Sequence, residues 1–289
     1  MTGLPLSAHA DLTHHDTYPV TTLMQTMKHT LIPASVSLIA ITASLDAGTT
    51  AIADSITAST TEAVDSGWNF RFAPYAWVTA LDGDIGIGPL TAPVDVSLSD
   101  TLDKLDMAYM FLVEAGCGRW TLTADFVYGD FSNEIAGGGK FFNSFRYEYT
   151  QWVLTPTIGY RVIETDGYSM DLFAGARTTS FETTLTGRFV GGGRIRRGAD
   201  DTWTDPIIGV RGQSELNERF FLRYNADIGG FGVSSDLVWQ AFLGFGYNIT
   251  ENASLAVGYR GLGVDYTSDQ YRTLDVINHG PVLGLEFRF

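Results

Sequence analysis

Residues 107–128 read MAYMFLVEAGCGRWTLTADFVY, and two interleaved sets of side chains run through them. Met107, Tyr109, Phe111, Val113 and Ala115 alternate with Ala108, Met110, Leu112, Glu114 and Gly116. After the tight turn Gly116-Cys117-Gly118-Arg119, the residues Trp120, Leu122, Ala124, Phe126 and Tyr128 alternate with Thr121, Thr123, Asp125 and Val127. A period of two is the signature of extended strands that present one residue in two to each face. The same alternation returns in Trp152, Leu154, Pro156, Ile158, Tyr160 and Val162, and at the end of the chain in Leu283, Leu285, Phe287 and Phe289. It predicts ten strands, near residues 68–81, 106–116, 119–131, 145–163, 168–183, 203–214, 219–230, 236–249, 253–266 and 276–289.

The connections between these runs alternate in length. Short ones fall at 116–119, 164–167, 215–218 and 250–253, and longer polar ones at 82–105, 132–144, 184–202 and 267–275, with a shorter one at 231–235. Short turns at one end and long loops at the other are the pattern of a transmembrane β-barrel of the bacterial outer membrane. A soluble β-sandwich would also alternate, but has no reason to keep long and short connections in strict turn. The aromatic spacing favours the barrel too. Trp120 and Tyr128, Trp152 and Tyr160, and Trp239 and Tyr247 stand eight residues apart on the apolar face of their runs. Eight residues of strand cover roughly 26 Å, and at a tilt of about 40° that becomes roughly 20 Å of height, close to the apolar band between two aromatic girdles.

The opposite parity collects the charges. Arg71, Glu114, Asp125, Arg161, Asp171, Arg177, Asp205, Arg211, Arg223, Asp227, Arg260, Glu286 and Arg288 all fall on it. Against a sandwich core such a set would be costly to bury. In a barrel lumen, arginines and carboxylates satisfy one another and water fills the gaps. The seven arginines and six carboxylates nearly cancel, so most of the chain's net negative charge falls to loops and termini. The expected fold is therefore all-β, an antiparallel transmembrane barrel of about ten strands. Eight or twelve remain open, because residues 84–98 also alternate and could add a hairpin.

Composition sets the outer bounds. The 289 residues carry a formal net charge of −15, which argues against a nucleic-acid partner. One cysteine, Cys117, excludes an intrachain disulfide framework and a Cys-based zinc cluster. Charged residues make up 18% and aromatics 13% of the chain, which is not the composition of a disordered protein. No apolar run reaches the ~18 residues of a membrane-spanning helix. Near the start, Met27-Lys28-His29 forms a basic head, Leu31–Leu45 is uncharged, and Ala51-Ile52-Ala53 has the small-x-small form of a cleavage site. The expected organisation is a gene-model extension over 1–26, a signal peptide over 27–53 cleaved after Ala53, a short periplasmic segment over 54–67, and the barrel over 68–289.

The terminal alternation through Leu283, Leu285, Phe287 and Phe289 resembles the C-terminal signature that the outer-membrane barrel assembly machinery reads. Residues 227–240, Asp227 to Gln240 (DIGGFGVSSDLVWQ), together with residues 258–266 (GYRGLGVDY), resemble a family of small proteobacterial outer-membrane proteins akin to the opacity-type surface-antigen barrels. The likeness covers most of residues 68–289 and departs at Gly261 and Gly263, where bulkier residues are expected. It implies fold and outer-membrane location. It does not imply one function, since this architecture hosts pores, adhesins, enzymes and passive structural proteins.

Few constellations carry chemistry. His279 is the one histidine after residue 53, so a metal site built on histidine pairs is excluded by count and no cofactor is implied. Asp82, Asp84 and His279 are the candidates for a surface hydrolase acting on lipid or peptide, if they converge at the extracellular rim. Asp82-x-Asp84 lacks the remaining ligands of a calcium loop. Ser99, followed by Asp100, Leu102 and Leu105, could cap a short helix that folds over or into the lumen; the other reading is a solvated, partly ordered acidic loop. Arg188, Arg194, Arg196 and Arg197 surround Gly191-Gly192-Gly193 in the 184–202 loop; they read either as a contact for lipopolysaccharide phosphates or as a solvated hairpin. The expected function is a non-enzymatic envelope-structural or surface protein, or a narrow charge-lined channel. Its expected partners are outer-membrane lipid, lipopolysaccharide and the assembly machinery.

Overall fold

The computed structural model describes residues 67–87, 90–136, 142–268 and 272–289. Twelve strands and one short helix follow in chain order: β1 (Trp68–Trp77), β2 (Ala80–Ile87), β3 (Leu90–Val96), α1 (Leu98–Lys104), β4 (Leu105–Cys117), β5 (Trp120–Ala136), β6 (Phe142–Thr165), β7 (Tyr168–Phe189), β8 (Arg194–Glu215), β9 (Phe220–Gly230), β10 (Leu237–Asn248), β11 (Ala253–Thr267) and β12 (Arg272–Arg288). Ten of them, β1 and β4 to β12, pair antiparallel with their neighbours, and β12 returns to β1 to close the barrel. The signal segment, with Ala51 and Ala53, and the extension before it lie outside the described residues.

The hydrogen-bond register fixes the barrel's shape. A circuit of facing residues runs Phe70, Ala115, Leu122, Ile158, Ala174, Ile208, Ile228, Trp239, Gly263, Ile277 and Asp82. It leaves β1 at Phe70 and returns to the same strand line at Asp82, twelve residues further on. Twelve residues of rise spread over ten strand widths demand a tilt of about 40°. The circuit also shows that β1 and β2 are one strand line in register along β12, interrupted at Val78 and Thr79.

Side chains divide as the alternation requires. Tyr109, Trp120, Leu122, Ile158, Leu243, Val257 and Leu283 are exposed on the outside, whereas Met110, Val127, Val153, Phe173 and Ile207 are buried inside. Two aromatic bands ring the outside. Trp120 and Tyr160 face each other near the short turns, with ring centroids 4.9 Å apart. Tyr128 faces Trp152 and Tyr109 nearer the long hairpins. The glycines at 261 and 263 have a packing reason: a Cβ on Gly263 would stand 2.1 Å from Trp239 Nε1, so the pair forms the slot in which the Trp239 ring lies.

Two expected loops are strand instead. Residues 184–202 continue the β7–β8 ladder up to a turn at 190–193, where Gly191, Gly192 and Gly193 all take positive φ. The polar Thr and Arg composition reads as loop because the buried positions here, Thr184 and Gly187, carry no apolar side chain, yet paired backbone groups need no apolar face. The segment 82–105 holds the extra hairpin: β2 pairs with the upper half of β12, and β3 with β2. α1 follows, capped by Ser97, whose Oγ accepts from the Asp100 amide at 3.2 Å. The cap is thus two residues earlier than Ser99. The Ser97 hydroxyl and Lys104 hold the Asp100 carboxyl below its usual range.

Candidate functional site: the lumen and the outer girdle

All thirteen charged residues expected in the lumen project inward, and they form two tiers. At the short-turn end Glu286 is a hub. It accepts from Arg71 at 3.0 Å, from Arg288 at 2.9 Å and from Arg223. Glu114 holds Arg71 from the other side at 2.6 Å. Asp171 is shared by Arg161 at 3.0 Å and Arg211 at 3.5 Å, and accepts from Thr121 Oγ1. Arg211 donates its Nη1 to Thr123 and Thr157. This tier crosses the lumen, joining β1, β4, β9 and β12 on one side and β6, β7 and β8 on the other.

The second tier lies further in and is drier. Arg177, 1% exposed, donates to Asp227 at 3.0 Å and to Gln240 at 3.4 Å. Arg260 meets Asp125 at 2.9 Å and Gln240 at 2.5 Å, and lies 4.6 Å from the Trp77 ring centroid. Tyr75 closes the loop, donating to Asp125 at 2.5 Å and accepting from Arg260 at 2.9 Å. Asp205 has a different task. It accepts from the amide and hydroxyl of Ser235, both at 2.7 Å, and so clasps the β9–β10 turn to β8.

Around and beyond this tier the lumen is filled with apolar side chains. Trp77, Met110, Val127, Val153, Ile207, Val238, Leu262 and Val264 pack as one cluster with Trp203 and Tyr266, whose rings stack at 4.1 Å. Luminal glycines make room for rings: Phe221 is fully buried against Gly246, where a Cβ would fall 2.0 Å from the ring. A cavity of about 540 Å³ remains on the short-turn side, bounded by both charged tiers and reaching Asn69, Gln213 and Phe289.

Of the three hydrolase candidates, two meet. His279 Nε2 lies 2.7 Å from Asp82 Oδ2, and His279 Nδ1 2.5 Å from Tyr259 Oη. This group faces outward, with the His279 and Asp82 side chains 35% and 53% exposed, beside Gly261 and the Trp239 ring. Asp84 stands two residues beyond on the same outer face, opposite Asp275. Arg188 and Arg194 face each other at the tip of the β7–β8 hairpin, with Arg196 and Arg197 below them, all exposed. Leu283, Leu285 and Phe287 face outward on β12, and Phe289 exchanges backbone hydrogen bonds with Phe70 across the seam. Tyr75, Gln213, Gln240, Thr123 and Thr157 are luminal partners that a search for charge alone overlooks; all but Gln240, whose strand β10 carries no charge, share the parity of the charged residues on their strands.

No family model matches the sequence, and no curated protein matches it. Among solved structures, the outer membrane protease OmpT from Escherichia coli is similar over 77% of this chain and 97% of its own, at 13% identity and a TM-score of 0.51. Neisserial surface protein A covers 78% and 98% at 12% identity and a TM-score of 0.32. The attachment invasion locus protein Ail of Yersinia pestis, in its complex with a heparin analogue, covers 77% and 99% at 11% identity and a TM-score of 0.31. At such identity the likeness to OmpT is one of fold: this chain has the architecture of a small outer-membrane β-barrel.

Proposed function

We propose that the protein is a non-enzymatic barrel of a Gram-negative outer membrane, serving the envelope as a structural or surface protein with a closed lumen. The short turns would face the periplasm and the long hairpins the exterior. The observation that carries this reading is the filling of the lumen: two cross-braced charged tiers lie beneath an apolar cluster that includes Trp77, Trp203 and Tyr266. Sixteen-strand porins leave an aqueous channel, whereas ten strands enclose little more than the eight-strand size that side chains nearly fill. Single-channel recording of refolded protein in planar bilayers should show no steady steps, or small ones far below those of a general porin. Large, stable openings would replace this reading with that of a conducting pore.

Export by a cleaved signal peptide, lipopolysaccharide contact through Arg188, Arg194, Arg196 and Arg197, and insertion by the assembly machinery belong to the same proposal. A second reading rests on the Tyr259–His279–Asp82 contacts, in which a histidine is oriented by a carboxylate as in general-base sites. It makes the protein a hydrolase of lipid or peptide at the outer girdle. A lipase and protease screen on the same refolded sample, with His279→Ala as comparison, decides between the two.

A further inference from the structure

Charge is unevenly divided between the two luminal tiers. Apart from Asp205, whose oxygens are taken by Ser235, the deeper tier balances, with Arg177 and Arg260 against Asp227 and Asp125. The tier at the short-turn end sets five guanidiniums against three carboxylates, so Glu286 serves three arginines and Asp171 two. Glu164, 56% exposed near the end of β6, gives Arg161 one more contact. Arg223 bonds both oxygens of Glu286 and Gln213 but shares that carboxylate with Arg71 and Arg288, and Arg211 shares Asp171 with Arg161. Arg211 has its ion-pair partner at 3.5 Å and spends its shorter hydrogen bonds on threonine hydroxyls. Both arginines line the 540 Å³ cavity.

That cavity has the size of a small-molecule site. Beyond the arginines its walls turn apolar, with Phe173 5.3 Å beneath the Arg211 guanidinium and Phe242 and Val282 further in. Surplus guanidinium in a walled space attracts an oxyanion and orients a carboxylate or phosphate through its forked donors. The deeper Phe173 and Phe242 offer a surface for an apolar or aromatic body.

We infer that the short-turn half of the lumen is a blind binding pocket for a small organic anion, its acidic group held by Arg211 and Arg223 and its apolar body against Phe173. The inference goes beyond the closed-barrel function and does not depend on it. A barrel that conducts nothing and binds no anion keeps that function and loses this site.

The test is calorimetric titration of folded barrel in an uncharged detergent with benzoate, and with benzamide as its uncharged counterpart. Benzoate should bind saturably and at least tenfold more tightly than benzamide, and weaken as salt is raised. Arg211→Met and Arg223→Gln should each weaken benzoate at least tenfold while retaining heat-modifiable migration, the mark of a folded barrel. Lys104→Met, on α1, should leave binding unchanged. Equal affinity for acid and amide, unaltered binding in folded Arg211→Met and Arg223→Gln, or no saturable heat from benzoate would each overturn the assignment.

Discussion

Arg177 and Asp227 are both 1% exposed at their side chains, so neither charge has water to fall back on. Removing one partner of such a pair costs about 3–5 kcal/mol, whereas replacing both by apolar groups of similar volume is often neutral or better. Arg177→Ala should therefore lower unfolding stability by about that much, and Arg177→Met combined with Asp227→Leu should cost clearly less. Urea titrations followed by tryptophan fluorescence test the contrast; equal losses in the single and double variants would show that the pair contributes little. Asp171→Ala should cost less than Arg177→Ala, because Arg161, left behind, is 30% exposed and keeps Glu164, and Arg211, 14% exposed, keeps its bonds to Thr123 and Thr157. Period-two parity suffices to put each of these residues inside. Their pairing is not legible in the sequence, because partners such as Arg71 and Glu286 stand 215 residues apart and meet only once the circumference is closed. Tyr75 and Gln240 escape a reading of the sequence for a related reason: an uncharged polar residue on the inner face looks ordinary until Tyr75 is seen between Asp125 and Arg260, and Gln240 between Arg177 and Arg260.

Among the elements, β12 has the most complex task. Its lower half closes the barrel on β1, and its upper half carries β2. The residue that follows it, Phe289, is 77% exposed as a side chain, yet its backbone exchanges hydrogen bonds with Phe70 at 2.9 and 3.2 Å. Deleting Phe289 or making Phe289→Asp should reduce the amount of protein in the outer membrane without affecting export. Normal heat-modifiable migration and normal abundance would show that the terminal residue is dispensable for assembly. The elements that alternate against lipid and lumen are legible in the sequence because each face has a different solvent. The upper β7–β8 ladder is not, since Thr183, Thr186, Arg194 and Arg196 lie beyond the apolar band and no period survives there. The β2–β3 hairpin does alternate and is legible as an optional addition; Leu81 and Val96 bury against Val276, and Gly83 is set close enough to β12 that a Cβ would lie 2.1 Å from the Asp275 carbonyl oxygen.

For the molecule as a whole, the proposed orientation puts the short turns in the periplasm and the long hairpins outside. A cysteine at Gly192, on the β7–β8 tip, should react with an impermeant maleimide on intact cells. A cysteine at Asp166, in the turn between β6 and β7, should react only after the outer membrane is opened. The reverse pattern would invert the topology. About ten strands are legible in the sequence from runs and turns, with eight or twelve left open by the alternation in residues 84–98. The stagger of twelve is not, because it is a property of the closed register and no single strand records it.

The ten barrel strands are far from equal in length. β6, β7 and β8 have 24, 22 and 22 residues, while β9 and β10 have 11 and 12. The outer rim is therefore cut on a slant, tall over a third of the circumference and low where β9 turns into β10. The tall side ends in threonines, arginines and aspartates, and the low lip carries Phe231 and Val233, 56% and 68% exposed. A crown of this form gives the molecule a compass heading within the plane of the bilayer. Anything lying flush with the membrane surface, whether the sugar chains of a neighbouring lipid or the flank of another protein, meets a greasy doorstep from one bearing and a polar palisade from the opposite one.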